Sequence, residues 1–197
     1  MTDNKAKILW ESKGNTPAGD PFSTVKEARG YYSYLERGGK DSIAFILFDK
    51  STKKFALIKE SKPPMDETMN EEVKMITAFG GSIDMNKSYK EICQTEVKEE
   101  AGYIVPLDKI YSVGKTLVSS QMSQMCEGFL VDVTGINKTE QAEYELEATA
   151  DQTAKDENEC VGNSVEWLDA DGLMENNCWK SIWIFTKAVY SDIIVKG

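Results

Sequence analysis

Residues 81 to 103 read Gly81-Ser82-Ile83-Asp84-Met85-Asn86-Lys87-Ser88-Tyr89-Lys90-Glu91-Ile92-Cys93-Gln94-Thr95-Glu96-Val97-Lys98-Glu99-Glu100-Ala101-Gly102-Tyr103. Ser88, with Glu91 three residues on, is a capping box that starts a helix. Gly102 suits the left-handed position that stops one. On a helix turning about 100° per residue, Glu96, Glu99 and Glu100 form an i, i+3, i+4 cluster on one face. Tyr89, Ile92 and Cys93 fall on that same face. The stripe expected to point into the protein therefore begins apolar and ends in carboxylates. Three inward charges repel one another and lose water, so they need a counter-charge, and a divalent cation is the simplest. The rival reading is a solvated acidic helix end. It fits less well, because acids near a helix C-terminus oppose the macrodipole.

The flanking sequence supplies strands. Ile43 to Phe48 is an apolar run suited to a buried strand, Asp49 to Lys54 is a hairpin loop, and Phe55 to Lys59 is the return strand, ended by Pro63-Pro64. Residues 67–74 form a charged connector, and Met75 to Phe79 leads into the glycine pair Gly80-Gly81. Beyond the helix, Ile110 to Val118 and Gly128 to Val133 read as strands joined by a polar loop over Ser119 to Gln124. Thr139 to Glu159 is acidic, with alternation around Tyr144 that suits part of an edge strand. Val165 to Leu168 is a further short strand. Asn177 to Val195 reads as a closing helix, with Trp179, Ile182, Trp183, Phe185, Thr186, Val189 and Tyr190 at helical spacing. That aromatic stripe reads as core or dimer packing rather than as a face for adenine. Before residue 41, Ile8-Leu9-Trp10 suits a short strand, and Ser23 to Tyr34 suits either a helix or two short strands.

Composition narrows the function. At 197 residues the chain holds one domain, or one with a small appendage. A net charge of −10 argues against a nucleic-acid backbone as partner. No stretch approaches the ~18 apolar residues of a membrane span, and no signal peptide is expected at the start. Four cysteines without a C-x-x-C pair suit reduced thiols in a cytoplasmic protein. With no histidine, Ser-His-Asp and Cys-His catalysis and H-E-x-x-H zinc sites are excluded. Acid–base work falls to carboxylates, lysine, tyrosine or metal-activated water.

The segment Gly81 to Tyr103 resembles a Nudix box, G-x5-E-x7-R-E-U-x-E-E-x-G-U with U aliphatic. Gly81, Glu96, Val97, Glu99, Glu100 and Gly102 match in register, and Tyr103 fills the last apolar position. Two positions depart: Lys87 stands for the first Glu, and Thr95 for the Arg. The resemblance extends over residues 41–197 to the ADP-ribose pyrophosphatase group, strongest at the box. It implies an α/β fold, a Nudix α/β/α sandwich around a mixed β-sheet. It implies a Nudix domain over 41–197 and a small N-terminal appendage over 1–40 that makes contacts across a homodimer. It implies that Glu96, Glu99 and Glu100, with the backbone carbonyl of Gly80, bind Mg²⁺ or Mn²⁺. It assigns Glu157 in the late acidic loop as general base and Glu159 as a further metal contact; the plainer alternative is one more acidic loop. Glu99 joins the catalytic set. Lys62 is the counterpart of a basic substrate-binding residue, or else a surface lysine. Gly81 allows close approach of the phosphates. The implied reaction is hydrolysis of ADP-ribose to AMP and ribose 5-phosphate. Alternatives are another diphosphate, such as a dinucleotide, nucleotide sugar or coenzyme A, or a domain that binds nucleotide without turnover.

Overall fold

The computed structural model describes residues 6–12, 23–28, 32–37, 41–62, 73–83, 87–139 and 164–194. In chain order the strands are β1 (Lys7–Glu11), β2 (Thr24–Ala28), β3 (Tyr32–Glu36), β4 (Ser42–Asp49), β5 (Lys54–Lys62), β6 (Val73–Thr77) and β7 (Phe79–Ser82), then β8 (Ile110–Leu117), β9 (Met125–Asp132) and β10 (Ser164–Leu168). The α-helices among the described residues are α1 (Tyr89–Glu96), α2 (Ala170–Glu175) and α3 (Trp179–Tyr190). The described residues form a seven-stranded mixed sheet and a separate three-stranded one, β1-β2-β3.

The large sheet runs β10-β5-β4-β9-β8, with β6 on β5 and β7 on β4. Its centre is β4, buried along Ile43 to Phe48 and parallel to β9, with Ile43 opposite Glu127 and Leu47 opposite Val131. A strand covered on both faces reads as a continuous apolar run, and its pleat sends alternate residues to opposite sides. Ile43, Phe45 and Leu47 join one core with Ile92, Cys93, Val97 and Ala101 from the α1 side. Ala44, Ile46 and Phe48 join the other with Leu173, Ile184 and Ala188 from α2 and α3. Helices therefore cover both faces, giving the expected α/β/α sandwich. At the end of β4, Asp49 accepts hydrogen bonds from the Ser51 amide, the Ser51 hydroxyl and the Thr52 hydroxyl. These bonds, with Lys53 at φ 56°, close the hairpin into β5.

Several expectations change. The segment 23–34, left open between helix and strands, holds β2 and part of β3. The residues expected to lead to the glycine pair are strands themselves, β6 and β7. β6 pairs with β5, and the glycine-rich β7 owes its form to pairing with β4 rather than to its own propensity. A short helix, α2, precedes the closing one, started by Asp169, whose side chain accepts from the Gly172 amide. In α3 Ser181, Ile184 and Ala188 are fully buried, and Trp183 and Phe185 of the aromatic stripe pack against the same core, as the sequence implies. Small residues let the helix lie close on the sheet, and the aromatic rings flank the contact; Trp179 and Tyr190 are exposed. Among the described residues no helix is long and apolar enough to cross a membrane.

Candidate active site

Helix α1 is held at both ends. Ser88 Oγ accepts from the Glu91 amide and Glu91 returns a bond to the Ser88 amide, the capping box read from the sequence. Tyr89 donates its hydroxyl to Asp41 at 2.9 Å, and Asp41 also accepts from the Met125 amide, tying the helix start to β9. Gln94 donates to the Val105 carbonyl at 2.7 Å. At Val97 the helix widens into a π turn, Val97–Ala101, closed by Gly102 in the left-handed region at φ 78°. The 100° periodicity therefore holds only to Glu96. In the wider turn Glu99 is exposed, while Glu96 and Glu100 are partly buried toward β7. The three acids do not share one inward face, which corrects the expectation from regular helical spacing. Turns of this kind recur at functional sites.

Strand β7 brings the glycines beneath those acids. Gly81 pairs with Ile43 and Gly80 with Ala44. A Cβ on Gly81 would lie 2.4 Å from a carboxylate oxygen of Glu96, so only glycine leaves room for that carboxylate. The backbone amide of Gly80 donates to Glu100. The second oxygen of Glu100, Oε2, is buried and has no hydrogen-bond partner. Burial pushes the Glu100 carboxyl up to about 8, and the nearby charges of Glu96, Glu60 and Glu99 push the same way against the Gly80 bond. A buried carboxylate oxygen without a partner is costly. Either a proton or a cation relieves it.

The donor set suits a hard divalent ion. Mg²⁺ takes oxygen ligands and often only one or two carboxylates, with water and phosphate oxygens completing its shell. The partnerless oxygen of Glu100 and the carboxylate of Glu96 laid against Gly81 meet that description. Among the described residues no three His, Cys, Asp or Glu side chains gather closely enough to hold a metal without such help. Gly80, Gly81, Glu96 and Glu100 thus come together, and Glu99 stands nearby in solvent. Lys62 ends β5, with its backbone opposite Val73; its side chain lies outside the described residues, as do Glu157 and Glu159.

A cavity of about 380 Å³ opens beside Gly80 and Glu100. Its walls include Ile58, Glu60 and Thr77 from the sheet and Asn177, Trp179 and Lys180 from the start of α3. Glu60 accepts from the Thr77 hydroxyl at 2.7 Å. The sequence marks none of Glu60, Asn177 and Lys180 as a site residue, and its pattern assigns Trp179 to packing. The period of two in β5 puts Glu60 on the same side as Ile58, which was the available signal for it. For the α3 residues the sequence held no signal, because the approach of α3 to β6 is set by tertiary packing.

Comparison with known proteins gives a fold-level likeness. No protein-family model matches the chain, and no curated protein sequence matches it. Among solved structures, one described as an ADP compounds hydrolase is 14% identical with a TM-score of 0.58, over 96% of this chain and 95% of that one. A MutT structure, from work on the fish pathogen Aliivibrio salmonicida and Vibrio cholerae, is 14% identical over 80% of this chain and 98% of that one, with a TM-score of 0.46. The first likeness, with the central mixed sheet and a helical layer on each face, shows that this chain has the α/β fold of Nudix-type proteins.

Proposed function

We propose that this chain hydrolyses the diphosphate bond of a small nucleoside diphosphate derivative, with ADP-ribose, cleaved to AMP and ribose 5-phosphate, as the leading substrate. The observation that carries this reading is the buried, partnerless oxygen of Glu100 beside Gly80, with Glu96 laid against Gly81. Glu96, Glu99, Glu100 and the backbone carbonyl of Gly80 would hold Mg²⁺ or Mn²⁺. When bound, the cation polarises phosphoryl oxygens, activates the attacking water and steadies the leaving phosphate. The chain's own part is placement. The Gly80 amide fixes Glu100, and the bare Gly81 backbone lets Glu96 come close. By resemblance, Glu157 takes the proton of the attacking water, Glu159 adds a further metal contact and Lys62 meets the substrate. Residues 1–40 belong to the same proposal as an appendage that contacts a second copy. The free thiols of Cys93, Cys126 and Cys178 suit a reducing, cytoplasmic setting.

One observation favours a second reading, a domain that binds nucleotide without cleaving it. Thr95 stands where the Nudix pattern has Arg, and its hydroxyl bonds back to the Glu91 carbonyl at 3.1 Å. It brings no positive charge to the acids. Incubation with Mg²⁺ and ADP-ribose, followed by chromatography, separates the two. Release of AMP supports hydrolysis; saturable binding with no AMP, across a panel of diphosphates, supports the second reading.

A further inference from the structure

Trp179 opens α3 with 43% of its surface exposed, on the wall of the cavity that holds Gly80 and Glu100. The ring is not loose. Cys178 donates its amide to Asn176 Oδ1 at 2.7 Å, and its carbonyl accepts the Ser181 hydroxyl at 2.8 Å. The Ala78 amide meets Cys178 Sγ at 3.4 Å, tying this helix start to the β6–β7 junction. Behind Trp179 stands Trp183, with ring centroids 6.2 Å apart and planes tilted by 39°. Trp183 in turn lies on the bare backbone of Gly128, where a Cβ would come within 2.6 Å of its ring. The helix start and the ring beside it therefore present Trp179 at a fixed position beside the cavity, and a surface ordered in advance loses less freedom on binding.

The same wall sorts what can enter. Glu60 repels anions, and Lys180 is the single cation among the described lining residues. The Thr77 hydroxyl is already donated to Glu60. A sugar asks for many hydrogen-bonding groups, and this wall offers chiefly Asn177 and Lys180. A flat uncharged ring asks for an apolar face, which Trp179, Ile58 and Met75 provide. The cavity volume, about 380 Å³, lies within the range of sites that take small organic ligands.

We propose that Trp179 is the stacking platform for the aromatic ring of the substrate, a nucleobase, with Asn177 hydrogen-bonding the edge of that ring and Lys180 set against phosphate charge. The proposal gives Trp179 a role that the packing of Trp183 and Phe185 does not supply. It rests on the proposed diphosphate site for the phosphate half of the ligand; the stacking itself requires no turnover.

The test is tryptophan fluorescence, excited at the red edge where nucleotides do not absorb. AMP, GMP, UMP and ribose 5-phosphate are titrated in the presence of Mg²⁺ into wild type and Trp179→Phe, both shown folded by thermal melts. At least one nucleoside monophosphate quenches wild type saturably, ribose 5-phosphate does not, and Trp179→Phe loses most of the quench. On any diphosphate the wild type cleaves, Trp179→Ala raises KM roughly 5-fold or more with kcat little changed. The proposal is overturned if no nucleotide quenches wild type, if Trp179→Phe is quenched equally, or if KM is unmoved in Trp179→Ala. Loss of quench in Trp179→Phe without cleavage of any diphosphate upholds the platform and rejects the hydrolase reading. Cleavage with an indifferent Trp179 does the reverse.

Discussion

Glu100 concentrates the chemistry of the site in one side chain. In the metal-free protein its carboxyl holds a proton up to about pH 8, whereas in the unfolded chain it releases one near its ordinary value of 4.5. Between those values the folded state binds more protons, so stability falls as pH rises through that window. Thermal melts of metal-free wild type should show this decline, and Glu100→Gln should lack it; an equal decline in the variant would clear Glu100 of the effect. The same substitution should abolish release of AMP while the fold persists, and wild-type turnover would count against the site. Thr95 is the second informative position. Its hydroxyl bonds to its own helix rather than to the acids, so Thr95→Arg should leave kcat equal or higher by restoring a cation to the turn. A collapse of activity would mean that the acids are oriented in some other way.

Two glycines show how elements depend on missing side chains. At Gly81 the added Cβ meets the far end of Glu96, a flexible chain that can swing aside. Gly81→Ala should therefore melt close to wild type and lose activity. At Gly128 the Cβ meets the Trp183 ring, which has nowhere cheap to go. Gly128→Ala should cost about 1–3 kcal/mol in denaturant unfolding, and a neutral result would deny that Trp183 packs on β9. These contrasts also explain what could be read beforehand. Strands β4, β5 and β9 announce themselves through apolar runs, and α1 through its capping box, because their signals are local. β7 is glycine-rich and becomes a strand by pairing with β4. The π turn at Val97–Ala101 departs from the period that any helical projection assumes, which is why Glu99 was expected inward and is exposed. In α3 Ser181 and Ala188 are buried beside Ile184, and no hydrophobic pattern picks out such small residues against the neighbouring tryptophans.

Taken whole, the chain pairs a mixed-sheet sandwich with a separate three-stranded sheet. That small sheet is fastened to the loop between β8 and β9. The Leu35 amide donates to the Gln121 carbonyl at 2.8 Å, the Leu35 carbonyl accepts from the Ser123 amide at 3.1 Å, and Tyr32 donates its hydroxyl to the Ser120 carbonyl. Its first strand leaves Ile8, Leu9 and Trp10 exposed at 53%, 45% and 53%. An apolar strand in water favours a partner, so light scattering should report a homodimer, and Trp10→Ser should shift it toward monomer. A wild type that stays monomeric at all concentrations would reject the dimer contact. The central claim concerns the acids over the paired glycines. Anomalous diffraction from crystals soaked in Mn²⁺ with nucleotide tests it most directly. The account predicts a manganese peak at coordination distance from the carboxylates of Glu96 and Glu100 and the carbonyl of Gly80; those side chains turned away with no ion beside them would contradict it.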